Sequence, residues 1–365
     1  MKIKKYPWWK PIYLSKSYIK LLSKVVKNKK LTTGDQTQKV ENYLKKFLNV
    51  KHVVLTTSGT SALMMATMAA SIKPKNIVLS PNFTWVATTN PSKIMNADVK
   101  LVDTEPYSEK VCFKTLNKKI IKYKPKLVFL VHLNGQATYN KKFNELKKKY
   151  KFFVIEDAAQ SILSKTDSKA PCGTHYDIGC YSLSITKHIN MIYGGFCTTN
   201  SYKLAKKLIA IRNNGLKSQE WFLKWELASM IGLNLKPSDL HSAIGLINLQ
   251  KRKFVEKNLL DIYNYYKKNL KNPKIKLENI EGKFSVPCYA QAFVKNVKEF
   301  INYCAKRKIG VHTGLRCISE TEPFAAKKEK FPNSIFLSKH LVRLPSGPGY
   351  KVKEIAKIVS ILNKY

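Results

Sequence analysis

Three stretches of the 365-residue sequence carry residue types that can do chemistry together. The first is Thr56-Thr57-Ser58-Gly59-Thr60-Ser61-Ala62. A short β-branched run, Val53 to Leu55, leads into it, and a helical run, Ala62 to Ala70, leads out. Free N–H groups at a helix N-terminus, flanked by small hydroxyls, make an anion site, and a glycine lets the backbone approach a phosphate closely. The same residues also serve as a plain helix cap. The second stretch is Phe152-Phe153-Val154-Ile155-Glu156-Asp157-Ala158-Ala159-Gln160. Four apolar residues read as a buried strand, and the acidic pair stands at its carboxyl end, where open α/β sheets place their ligands. A carboxylate there needs a partner, either the protonated ring nitrogen of a cofactor or the amides of a loop. The third runs from Asp177 through Cys180, Ser182 and Thr186 to Lys187-His188, with Gly194-Gly195 following. Burial and a neighbouring cation turn a lysine into a neutral, nucleophilic amine. A surface lysine is the alternative in a chain so rich in lysine.

The elements that must position these residues follow from hydrophobic periodicity. After an N-terminal arm, Thr33-Gly34-Asp35 reads as a cap, and Val40, Tyr43, Leu44, Phe47 and Leu48 follow helical spacing. From Lys51 to about Asn200, short aliphatic runs alternate with amphipathic ones. The runs are Val53 to Leu55, Ile77 to Leu79, Val99 to Val102, Leu127 to Val131 and Phe152 to Ile155, with a lysine-rich helix over Lys141 to Lys151. Such alternation predicts an α/β layer with a largely parallel sheet. Gly194-Gly195 predicts a turn into a further strand. Helical text resumes over Tyr202 to Arg212 and Ser238 to Tyr266. The remainder reads as a smaller α+β unit with strands near Phe284 to Pro287 and Ala290 to Val294, and helices near Lys298 to Arg307 and Val352 to Asn363.

Composition narrows the class of protein. Hydrophobic residues make up 44% and charged residues 24%, an ordinary globular balance. No apolar stretch approaches the roughly 18 residues of a membrane span, and prolines break the basic N-terminus before a signal-peptide core can form. A cytoplasmic protein without membrane attachment is expected. The 7 cysteines are odd in number and form no C-x-x-C pair, and the histidines are scattered, so neither a disulfide framework nor a metal is expected. With 66 Lys+Arg against 23 Asp+Glu, the formal charge is +43. A basic nucleic-acid-binding or regulatory protein is the reading such a charge invites. The basic residues are spread along the chain, however, without an aromatic-interleaved motif, and Lys, Asn, Ile and Tyr all share AT-rich codons. Nucleic acid is therefore not the expected partner, whereas a positive surface suits a phosphorylated substrate.

Taken in order, the motifs resemble the fold-type-I pyridoxal-phosphate (PLP) enzymes, and within them the DegT/DnrJ/EryC1/StrS sugar-aminotransferase family. The resemblance spans nearly the whole chain. It includes Leu31 to Gly34, Ser58 to Leu63, Pro81-Asn82-Phe83-Thr84-Trp85-Val86-Ala87-Thr88, Val131-His132-Leu133-Asn134-Gly135-Gln136, Glu156 to Gln160, Asp177 to Lys187, Arg212 to Gly215, and Gly232-Leu233-Asn234-Leu235-Lys236-Pro237-Ser238-Asp239. It implies a large PLP-binding domain with a mostly parallel mixed sheet flanked by helices, over residues 31–250. An arm over 1–30 precedes it and a smaller C-terminal α+β domain over 251–365 follows.

The resemblance also implies roles. Lys187 would hold PLP as a Schiff base and move protons between the substrate Cα and the cofactor. Asp157 would pair with the pyridinium nitrogen. Gln160 would lie near the ring's phenolic oxygen, and Trp85 on the ring face, unless it is a core aromatic. Gly59, Thr60, Ser61 and Ser182 would hold the phosphate, and Asn234 would reach it from the other subunit of a homodimer with shared sites. The implied reaction takes an amino group from L-glutamate, leaving the PMP form of the cofactor, and delivers it to a nucleotide-linked keto sugar. Departures fall where the sugar is expected: Tyr193 stands where the family often has an acid, Lys236 where arginine is usual, and Gly314 to Glu320 lacks a Tyr-Pro-Pro pattern. A dehydratase subgroup carries histidine in place of the lysine; here Lys187 precedes His188. Dehydration and cyclitol amination are the enzymatic alternatives.

Overall fold

Strand alternation builds two cores from single runs of sequence. The computed structural model describes residues 5–28, 31–217, 227–325 and 330–365. Helices α1 (Ser15–Lys27) and α2 (Asp35–Leu48) precede β1 (His52–Thr56) and α3 (Gly59–Ala69). Next come β2 (Ile77–Pro81), α4 (Asn90–Ile94), β3 (Asp98–Val102), α5 (Phe113–Tyr123) and β4 (Leu127–Val131). Helix α6 (Lys141–Tyr150), β5 (Phe153–Asp157), β6 (Ile178–Ser182), β7 (Gly195–Thr199) and α7 (Tyr202–Arg212) complete the large sheet and its cover. Its order is β1-β7-β6-β5-β4-β2-β3. Only β7 is reversed: it pairs antiparallel with β1 and β6, while the other neighbours pair in parallel.

Because side chains alternate along a strand, adjacent residues enter different cores. Val54, Ile178, Cys180 and Cys197 pack with α3 and α7, whereas Val53, Leu55, Tyr181 and Phe196 pack with α2. On the other half of the sheet, Val128, Leu130 and Val154 face α5 and α6, through Leu116, Ile120 and Phe143. Parallel strands covered on both faces read as continuous apolar runs, as β4 does.

Helices α8 (Asp239–Gln250) and α9 (Arg252–Asn269) lead to the second unit. There β8 (Ile275–Leu277), β9 (Gln291–Val294), α10 (Val297–Lys306), β10 (His312–Thr313), α11 (Pro332–His340), β11 (Leu341–Arg343) and α12 (Val352–Leu362) follow. The sheet order is β10-β11-β9-β8, antiparallel throughout. The arm before α1 runs along this unit, with Lys10 N–H donating to Ser346 O and Ser346 N–H to Trp8 O, both at 2.9 Å.

Three readings of the sequence are corrected. Phe284 to Pro287 forms no strand. Val286 donates its N–H to Ser164 Oγ and joins the core of the large unit, and Pro287 has no N–H to give a ladder; Ile275–Leu277 is the strand instead. The helical text over 238–266 divides at Lys251 into α8 and α9. The N-terminal region contains a full helix, α1, tied to α8 by Tyr18 Oη–H to Asn248 Oδ1 at 2.8 Å. No helix among the described residues is long and apolar enough to cross a membrane.

Candidate active site

The three sequence stretches converge at the carboxyl ends of β1, β5 and β6. Asp157 is the last residue of β5 and is 5% exposed. Thr88 Oγ1–H donates to its Oδ2 at 2.7 Å and Ala159 N–H to its Oδ1 at 3.1 Å. Burial pushes its pKa above the usual carboxylate range, against the pull of Thr88, Ala159 and the charge of Lys187. The Lys187 ammonium thus lies close enough to act on Asp157 electrostatically. Lys187 sits in the loop joining β6 to β7, half-buried, with Nζ 3.4 Å from Tyr289 Oη. That loop is closed by Leu183 N–H to Gly194 O and Met191 N–H to Leu183 O, each 2.8 Å. Trp9 of the arm clasps it by donating Nε1–H to Ile185 O at 2.9 Å.

The N-terminus of α3 meets the same place. Ser58 caps the helix, its Oγ accepting Ser61 N–H at 3.0 Å. Thr57 and Ser61 hydroxyls lie 2.8 Å apart. Gly59 abuts Ser182 so closely that a Cβ on residue 59 would come within 2.8 Å of the Ser182 Cβ. Only glycine allows this approach, and it sets the first amides of α3 beside the Ser182 hydroxyl. Thr60 is exposed at the same helix end.

Two further expected residues are reached through these. Gln160 is buried and its Oε1 accepts Asn134 N–H at 2.9 Å, which leaves Nε2 as the donor end, with no hydrogen-bond partner among the described residues. Trp85 is 61% exposed and therefore no core aromatic; its carbonyl accepts Thr88 N–H, tying it by one turn to the Thr88–Asp157 bond. Asn234 is exposed and forms an isolated antiparallel bridge with Asn213. Beside it, Leu235 O accepts Thr56 Oγ1–H at 3.0 Å. Within this one chain no hydrogen bond joins Asn234 to Ser58, Ser61 or Ser182 among the described residues.

Sequence reasoning missed Thr88 as a partner of Asp157, although it closes the Pro81–Thr88 motif. It also missed Tyr289. That ring stands edge-on to Trp9, with centroids 5.4 Å apart, and under the Arg343 guanidinium at 4.1 Å. Tyr289 lies over 100 positions from Lys187 in the chain, and nothing local in the sequence links them. His188 is the opposite case. It is buried, with Nε2 donating to Val286 O at 3.1 Å, and burial holds its pKa down at about 4.

The arrangement fits PLP. The glycine-tight cradle at α3 suits a phosphate, the buried Asp157 makes no ion pair among the described residues, and the Lys187 amine lies 3.4 Å from Tyr289 Oη. A seven-stranded sheet with one reversed strand, a separate antiparallel unit, and a lysine loop opposite a strand-end aspartate define a fold-type-I transferase. The family model described as the DegT/DnrJ/EryC1/StrS aminotransferase family matches residues 13–363, and the chain belongs to this family. It is 26% identical over 337 residues to the GDP-perosamine synthase of Escherichia coli O157:H7, covering 91% of this chain and 90% of that protein. It is 28% identical over 258 residues to a UDP-4-amino-4,6-dideoxy-N-acetyl-beta-L-altrosamine transaminase of Campylobacter jejuni, covering 70% and 67%. Among solved structures, Helicobacter pylori PseC, an aminotransferase involved in the biosynthesis of pseudoaminic acid, superposes with a TM-score of 0.91. That match has 21% identity and covers 99% of each chain.

Proposed function

We propose that the protein is a PLP-dependent aminotransferase that moves an amino group from L-glutamate to a nucleotide-linked keto sugar, making an amino sugar for glycan or polysaccharide synthesis. The observation that carries this reading is the convergence of Asp157, Lys187 and the α3 N-terminus at the carboxyl ends of β1, β5 and β6. Bound PLP would supply an electron sink for the bonds at the amino-acid Cα. Lys187 Nζ would hold the cofactor covalently and then carry the proton taken from Cα. Asp157, fixed by Thr88 and Ala159, would keep the ring nitrogen protonated. The α3 amides with Thr60, Ser61 and Ser182 would hold the phosphate, Gln160 would donate to the ring oxygen, and Trp85 would cover one ring face.

A homodimer suits the surface around Asn234. Leu227 and Ile231 are 87% and 84% exposed, and Tyr193 is exposed as well. Covering them with a second copy would remove this apolar surface from water and bring Asn234 to the partner's site. The positive charge of the chain favours a substrate carrying a diphosphate. Dehydration is the weaker reading, because Lys187 occupies the position that is histidine in that subgroup and His188 is committed to Val286.

The test is direct. Purified protein given PLP should show a visible absorption band that Lys187→Ala abolishes, with amino transfer falling by about 10³-fold or more. Glutamate-dependent amination of a panel of nucleotide keto sugars separates the aminotransferase from a dehydratase. Wild-type protein that takes up no PLP would sink the reading.

A further inference from the structure

Beside Gln160 and Tyr289 lies a buried polar network that the roles above leave unused. Glu109 and Glu278 are both buried and lie close enough to share one donor, Gln291. Burial raises both pKa values, and the charge of Glu278 raises that of Glu109 further. Gln291 Nε2 donates to Glu109 at 3.1 Å and to Glu278 at 2.9 Å, and Arg343 Nε donates to Gln291 Oε1 at 3.4 Å. Gln136 Nε2 adds a bond to Glu278 at 3.2 Å. Glu278, Gln291 and Arg343 come from the small unit, and Glu109, Asn134 and Gln136 from the large one.

Asn134 is where this network meets the site. Its Nδ2 donates to Glu278 Oε2 at 2.8 Å, and its Oδ1 accepts Tyr289 N–H at 2.7 Å. Its own N–H donates to Gln160 Oε1 at 2.9 Å. It does so from a left-handed backbone, φ 45°, a conformation asparagine tolerates better than most residues. One fully buried residue therefore ties Gln160, three positions beyond β5, to Tyr289, beside Lys187: its backbone N–H holds Gln160 and its side-chain oxygen holds the backbone of Tyr289. We infer that Asn134, anchored by Glu278, is a positioning residue that sets Gln160 and Tyr289 against the cofactor site. The inference rests on the PLP reading above. Each bond of Asn134 is needed: an acid to fix the amide, so that its oxygen faces Tyr289, and a backbone turn to present its N–H to Gln160. Without the Asn134 side chain, the turn that presents its N–H to Gln160 would lose its anchor on Glu278, and the Tyr289 N–H would lose the acceptor that holds its backbone near Lys187.

The experiment compares PLP affinity, the pH midpoint of the bound cofactor's visible band, and apo thermal unfolding. The groups around Lys187 that bear on that midpoint are Asp157, His188, Cys288 and Tyr289, with Arg343 across the Tyr289 ring. Asn134→Gly keeps the left-handed turn and removes the side chain. It should weaken PLP binding about tenfold, the scale of one buried bond to a charged group, and move the midpoint. Glu278→Leu should do the same. Glu278→Gln still offers Asn134 an acceptor and should keep both readouts close to wild type. Unchanged affinity and midpoint in Asn134→Gly and Glu278→Leu overturn the inference, whatever happens to the unfolding temperature. Where Asn134→Gly does not fold, the Glu278 pair decides: equal losses in Glu278→Gln and Glu278→Leu also overturn it. Failure of the PLP reading itself shows separately, as wild type that binds no PLP.

Discussion

Glu156 and Asp157 are neighbours on β5, yet the two sides of the sheet treat them as different chemicals. Glu156 shares its face with Val154, toward α5 and α6, and is saturated there. Gly173, His175 and Tyr176 N–H groups donate to it between 2.8 and 3.0 Å, with His132 Nε2 at 3.0 Å. Burial opposes its charge, but the hydrogen bonds from His132 and His175 prevail and bring its pKa down to about 2. Asp157 shares its face with Ile155, toward α3, and receives two hydrogen bonds. There burial wins and its pKa rises. The carboxylate that is fully satisfied by the protein builds the fold, and the one left short of a cation is the one available for chemistry.

Exchanging each acid for its amide tests this contrast, and the largest effect belongs to Asp157. Asp157→Asn should lower amino transfer by about 10²–10³-fold, since a fixed charge aimed at the ring nitrogen is lost. Apo stability should stay level or rise, because the folded chain no longer carries a carboxylate whose charge burial disfavours. Steady-state kinetics and apo thermal unfolding measure the two sides. An equal loss of stability and activity would put Asp157 in the same class as Glu156.

Glu156→Gln should invert that pattern. An amide at residue 156 would turn an NH2 toward backbone donors, and the chain should lose about 3 kcal/mol of stability at neutral pH, the worth of a pKa held near 2 rather than 4.5. Because the folded value is depressed, this contribution is complete above about pH 4.5 and vanishes as pH falls toward 2. Denaturant titrations of wild type and Glu156→Gln should therefore differ most at neutral pH and converge in acid. A constant gap across that window would mean the ionisation of Glu156 contributes nothing.

How legible this was in the sequence depends on range. The strand runs, the α3 cap and the acidic pair stood out because each is local: period, cap and strand end lie within a dozen residues. The Lys187 loop was found through motif order rather than periodicity. Partners that arrive from another element were invisible, as with Thr88 on Asp157, Tyr289 beside Lys187 and Asn134 on Glu278. Phe284 to Pro287 was misread because Val286 packs into the core of the large unit instead of within a sheet, and Pro287 has no N–H to give a ladder. Nor could spacing separate Glu156 from Asp157. Alternation says that they face opposite ways, but not which face holds three backbone donors.

The smallest effect concerns Trp85, which stands on the Asp157 side without belonging to its core. With 61% of its surface exposed, the indole contributes little to packing of the isolated chain. Its backbone, through the carbonyl bond to Thr88 N–H, does the structural work of the turn, and alanine keeps that bond. Trp85→Ala should therefore leave apo stability within about 0.5 kcal/mol of wild type. A flat aromatic on a cofactor ring is worth about 1 kcal/mol beyond the area it covers, so PLP affinity should fall about fivefold. Dialysis against PLP and apo unfolding decide the matter. Unaltered affinity would leave the ring uncovered by Trp85, and a large drop in apo stability would return the indole to the core that its exposure denies it.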